Sequence, residues 1–100
     1  MKKGYVYVLH FHEKLGHAQH YTGWTVDVEA RIAKHRVGTG GRLPAVFASL
    51  GVSFTVGRIW TCATTNEARS LEWRIKHKWK KVHRYCTECH PPRALDVPTL

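Results

Sequence analysis

Apolar and polar residues fall along the chain in a pattern that predicts six elements. Tyr5-Val6-Tyr7-Val8-Leu9 is aromatic and β-branched and predicts a strand. His10 to His20 is polar with Gly16 at its middle, which predicts a hairpin loop. Tyr21-Thr22-Gly23-Trp24 predicts the short return strand, with Gly23 marking a close backbone approach. Thr25 is placed to cap a helix with Asp27 and Glu29 in its first turn and Val28 and Ile32 as its apolar stripe. Gly38, Gly40 and Gly41 end it. Leu43, Val46, Phe47 and Leu50 then follow helical spacing, with Pro44 in the first turn and Gly51 closing the helix. Val52 to Val56 alternates and predicts a strand that extends through Ile59 and Trp60. Thr64 and Glu67 form a capping box, followed by a long helix whose core stripe is Ala68, Leu71, Ile75, Trp79 and Val82.

The order strand, strand, helix, helix, strand, helix predicts a small α+β domain: about three antiparallel strands flanked by about three helices. Residues 1–85 form that domain and 86–100 an irregular tail with three prolines. With 100 residues there is room for one domain, and no repeat or linker divides it.

Composition adds a partner class. Lys and Arg total 16 against 7 Asp and Glu, a net charge of +9, while 43% of residues are hydrophobic. A folded domain this basic has the footprint of a polyanion binder. The longest uncharged stretch, Leu43 to Gly57, is interrupted by Pro44, Ser49, Gly51 and Ser53 and is too short for a membrane span, which needs about 20 residues. Met1-Lys2-Lys3-Gly4 leads directly into the first strand without a small-residue cleavage site, and the three cysteines are an odd count. The expected location is therefore the cytoplasm, with no membrane partner.

Three polar residues border the apolar stripes. Arg31 and His35 share one face of the first helix, within about 60° of Val28. Glu72 falls about 20° beyond the core arc of the last helix. An Arg31–Glu72 ion pair would account for two of them without any chemistry.

Four elements together resemble the GIY-YIG endonuclease superfamily, over Tyr5 to Lys81. The first family motif reads here as Tyr5-Val6-Tyr7, with Gly4 one place before the position the family gives to glycine. The second reads Tyr21-Thr22-Gly23, after a thirteen-residue interval. The helix motif R-x-x-x-H matches Arg31-Ile32-Ala33-Lys34-His35, and the acidic residue of the last helix matches Glu72 in Glu72-Trp73-Arg74-Ile75-Lys76. The tail also resembles that of a group of short members with a basic run and a C-P-x-C element, here Arg84-Tyr85-Cys86-Thr87-Glu88-Cys89-His90.

The resemblance implies a nuclease that hydrolyses DNA with one Mg²⁺ or Mn²⁺ ion and no small-molecule cofactor. Glu72 would ligate the metal, Arg31 clamp the phosphate, Tyr7 activate the water, Tyr21 hold phosphate or water, and His35 shuttle a proton. Gly23 would be structural. Members serve in DNA repair, recombination, restriction and mobile elements. Specificity here is expected from loops, a homodimer or a partner protein.

Other features stand beside this reading. Lys34 and the run Lys76, Lys78, Lys80, Lys81, Arg84 and Arg93 offer a backbone-tracking surface beyond Glu72. Trp73, opposite the core stripe, is expected to be exposed. His10, His12, His17 and His20 are expected to be solvated loop residues, and Cys62 a buried strand-end residue. Cys86, Cys89 and His83 offer zinc-ligand types but number three where a structural site needs four, and His90 adjoins Cys89 awkwardly, so the sequence weighs against zinc. The alternative function is a non-catalytic nucleic-acid-binding module of the same fold, zinc-stabilised through the cysteine pair; a third is a small zinc-stabilised interaction protein.

Overall fold

A computed structural model describes residues 2–79 and 81–90, so Lys80 and Arg93 of the basic run lie outside the described residues. Strand β1 (Gly4–Leu15) occupies the centre of a three-stranded antiparallel sheet, between β2 (Ala18–Thr25) and β3 (Phe54–Cys62). Its central position explains why the Val6-Tyr7-Val8-Leu9 run is apolar on both faces, since all four residues are fully buried. Tyr7, Leu9 and Phe11 point to the side covered by α1 (Val28–Arg36) and α2 (Arg42–Ser49), where Phe11 stacks on Phe47 at 3.8 Å between ring centroids. Val6 points to the opposite side, covered by α3 (Thr65–Arg74) through Ala68, with Ile75 just beyond its end. Gly4 allows that approach: a Cβ there would lie 2.6 Å from the Ala68 Cβ.

The structure has the expected α+β class and element order, with four local differences. His10 to His20 is mostly sheet, because β1 continues to Leu15 and β2 begins at Ala18 around a tight turn with Gly16 at φ 60°. The cap of α1 is Asp27, whose side chain accepts from the Ala30 N–H, while the Thr25 hydroxyl accepts from the Asp27 N–H. A carboxylate at the dipole's positive end outcompetes a hydroxyl two residues earlier.

Thr64 does cap α3, accepting from the Glu67 N–H, and Glu67 returns a bond to the Ala63 N–H. However, the long helix is not continuous to Val82. It widens into a π-helical turn over Ile75–Trp79, and Val82–Tyr85 forms a 3₁₀ turn. Ile75 is buried and Val82 packs against the same core, so the apolar spacing survives although the helix does not. Trp73 is exposed as expected, whereas Cys62 is half-buried at the end of β3 rather than enclosed. Among the described residues, no helix is long and apolar enough to cross a membrane.

Candidate functional site

The α1 side of the sheet holds a tight aromatic–imidazole cluster. Tyr7 on β1 is fully buried, and its hydroxyl lies 2.6 Å from Nε2 of His35, which is itself 1% exposed. Tyr21, on β2, completes the cluster, with its ring centroid 6.4 Å from that of Tyr7 and 5.4 Å from that of His35. Gly23 pairs with Tyr7 across the sheet, and the phenol lies directly over it. A Cβ at Gly23 would fall 2.6 Å from Tyr7 Cζ. Gly23→Ala is therefore expected to destabilise the fold by about 1–3 kcal/mol, because a buried ring has no room to yield. Chemical denaturation measures this; an unchanged midpoint would show that Tyr7 can move freely.

The opposite nitrogen, Nδ1 of His35, is buried without a hydrogen-bond partner. Burial, opposed by the Thr39 backbone and aided by the Arg31 charge, holds His35 below the ordinary histidine value of 6.5. The imidazole is thus neutral at pH 7, and Nε2 is available to accept the Tyr7 proton. The linkage has a definite sign. Below about pH 6.5 the unfolded chain takes up a proton that folded His35 resists, so stability is lost as pH falls through its depressed value. His35→Gln is expected to flatten part of the loss of thermal stability below pH 6.5. Identical acid slopes for variant and wild type would contradict this.

Arg31 on α1 and Glu72 on α3 reach the same region from opposite faces of the sheet. Burial, Tyr21 and the Glu72 carboxylate push the Tyr7 phenol well above its usual range, while the Arg31 guanidinium pulls the other way. Arg31 and Glu72 are thus near enough to the Tyr7–Tyr21–His35 cluster for their charges to act on the Tyr7 phenol. Among the described residues, Arg31 and Glu72 do not pair. Glu72 instead meets Lys76 at 3.4 Å, one turn along, and the Lys76 ammonium lies 5.7 Å from the centre of the Tyr21 ring. Lys76 thus sits beside Glu72 and Tyr21 rather than beyond them, because residues four apart on a helix share a face. An open groove runs beside Tyr21, lined also by His20, Arg42, Lys76 and Val82. Lys34, Lys78, Lys81 and Arg84 are exposed.

A second cluster lies midway along the hairpin, one residue pair beyond Leu9 and Tyr21 and on the opposite face of the sheet. His10 and His20 face each other across β1 and β2, and with Cys86 and Cys89 they place four ligand atoms within 4.8 Å of one another. Such a set can hold a metal ion, which corrects two expectations. His10 and His20 are half-buried sheet residues, not solvated loop, because the strands continue past Leu9. His83 is not in the set; its ring lies beside that of His90, 5.9 Å between centroids. The other two histidines behave differently. His12 bonds to the hydroxyls of Ser53 and Thr55, and His17 is exposed at the turn. Burial and the nearby His10 lower the His20 value to about 4, and burial with the adjoining Cys86 raises the Cys89 thiol. One signal for His10 was present in the sequence: it continues the alternating phase of Val6 and Val8.

Two curated relatives are similar to this chain. A protein of Serratia liquefaciens described as "UPF0213 protein in potE 3'region" is 33% identical over 76 residues, covering 76% of this chain and 70% of its own length. A UPF0213 protein of Serratia proteamaculans (strain 568) is 32% identical over 76 residues, with the same shares. No family model matches the chain, and no solved structure gives a significant match.

Proposed function

This chain belongs to the UPF0213 family, and we propose that it is a metal-dependent endonuclease that hydrolyses DNA phosphodiester bonds. The observation that carries the reading is the approach of Arg31 and Glu72 to the Tyr7–Tyr21–His35 cluster, with Glu72 paired to Lys76 and not to Arg31. A purely structural Arg31–Glu72 ion pair would have explained these residues more simply, and it is not formed.

The donor set suits a hard cation. One carboxylate, Glu72, with its side chain 20% exposed, leaves most positions for water and phosphate oxygens, as Mg²⁺ or Mn²⁺ prefers. Bound there, the ion supplies charge neutralisation at the scissile phosphate and a more acidic water. The Arg31 guanidinium grips phosphate oxygens through its planar fork. Tyr21 and Lys76 together hold the phosphate against the groove. Burial disfavours a standing Tyr7 phenolate, so the Tyr7 proton must have an acceptor. Neutral His35 is that acceptor: as Tyr7 takes a proton from the water, its own passes to Nε2. Lys34, Lys78, Lys81 and Arg84 add sequence-independent attraction for the DNA backbone.

A plasmid-nicking assay with Mg²⁺, comparing wild type with Glu72→Ala, tests the reading. Nicking by wild type that the variant lacks supports it. Wild type that binds DNA tightly yet nicks nothing would instead make the protein a binding module.

A further inference from the structure

The His/Cys cluster midway along the hairpin shares none of Tyr7, Tyr21, Arg31, His35 and Glu72, and of its four members only His20 borders the Tyr21 groove. We propose that His10, His20, Cys86 and Cys89 bind one structural Zn²⁺ that fastens the segment after the 3₁₀ turn to the β1–β2 hairpin.

Geometry carries the argument. A tetrahedral zinc with Zn–S of about 2.3 Å and Zn–N of about 2.0–2.1 Å separates its ligand atoms by about 3.3 Å for an N–N edge and about 3.5 Å for an N–S edge. Here His10 Nδ1 and His20 Nε2 are 3.2 Å apart. Cys86 Sγ and Cys89 Sγ each lie 3.5 Å from His10 Nδ1, and Cys89 Sγ lies 3.3 Å from His20 Nε2. Four of the six ligand–ligand edges thus have tetrahedral lengths, and the other two are no longer than 4.8 Å. Ordinary hydrogen bonding does not account for them. A neutral imidazole nitrogen has either one proton or one lone pair, whereas His10 Nδ1 faces three atoms at near-equal range. A cation at the centre satisfies all four groups at once.

The backbone is shaped for this arrangement. Val8 pairs with Arg58 and Leu9 with Val56, so Gly57 is a bulge left out of the ladder. Its carbonyl instead accepts from the Thr87 N–H at 3.0 Å and from the Thr87 hydroxyl at 2.6 Å. Gly57 also has to lack a side chain, since a Cβ there would lie 2.6 Å from Cys86 Sγ. The His90 N–H closes the Cys86–Cys89 turn on the Cys86 carbonyl at 2.9 Å. Thiolate and imidazole donors favour Zn²⁺ over the Mg²⁺ suited to Glu72, so the two centres take different ions.

The test is metal analysis of the purified full chain, with Co²⁺ substitution of the wild type as a measurement that needs no variant. Wild type and His83→Ala are expected to retain one zinc per chain, and Cys89→Ser and His20→Gln to lose most of it. The Co²⁺ protein should show the intense ligand-field and thiolate charge-transfer bands of a tetrahedral sulfur-containing site. A wild type that takes up no zinc from excess, zinc retained in full by Cys89→Ser, or a Co²⁺ spectrum without thiolate bands would overturn the proposal.

Discussion

Glu72→Gln is expected to lower Mg²⁺-dependent DNA cleavage by on the order of 10²–10³-fold, a loss like that from removing one preorganised charge-stabilising group. The substitution preserves volume and hydrogen-bonding shape but removes the charge that would hold the cation. Lys76 loses its 3.4 Å partner, yet that pair is exposed on the lysine side, so stability should change by less than about 1 kcal/mol. DNA affinity measured without divalent metal should hold or rise, because a negative charge has left a basic surface. A large fall in melting temperature would reveal Glu72 as a structural residue. Cleavage at the wild-type rate would remove it from the site.

Arg31→Ala is expected to have a comparable effect by a different route. Its guanidinium is close enough to Tyr7 to oppose the rise in the phenol's pKa. Removing it takes away the phosphate clamp and leaves Tyr7 still harder to deprotonate. The loss should therefore appear in the rate of the chemical step, by on the order of 10²-fold or more, with weaker binding as a smaller component. Arg31 is half-buried and borders the core rather than filling it, so circular dichroism should match that of wild type. Unfolding would show that Arg31 supports the fold, contrary to the role assigned to it.

The parts of this molecule legible in the sequence are those set by local rules. An aromatic and β-branched run placed β1 at Tyr5–Leu9, the Thr64–Glu67 pair marked the start of α3, and Gly51 closed α2, each a signal carried within a few residues. The tyrosines, Arg31, His35 and Glu72 stood out because a motif order linked them, not because any spacing brings them together. The 2.6 Å bond from Tyr7 to His35 joins residues 28 apart, and only the packing of α1 on the sheet creates it.

Two features misled in instructive ways. His10 to His20 has a loop's composition, but pairing with β2 and β3 draws those polar residues into the sheet. The 3–4 spacing of Leu71, Ile75, Trp79 and Val82 does not register a π turn, because widening the helix still presents Ile75 and Val82 to the same core. The ligands of the second cluster were hidden by distance: Cys89 meets His20 across 69 residues, whereas His83, nearby in sequence, lies outside the set.

The most direct test of the central claim is a single-turnover cleavage panel of linear, nicked, flapped and branched DNA with Mg²⁺. Wild type is expected to cut at least one form, to stop when the metal is chelated, and to outpace Glu72→Gln and Arg31→Ala prepared identically. Wild type that binds these DNAs and cuts none, or variants that cut as fast as wild type, would contradict the account.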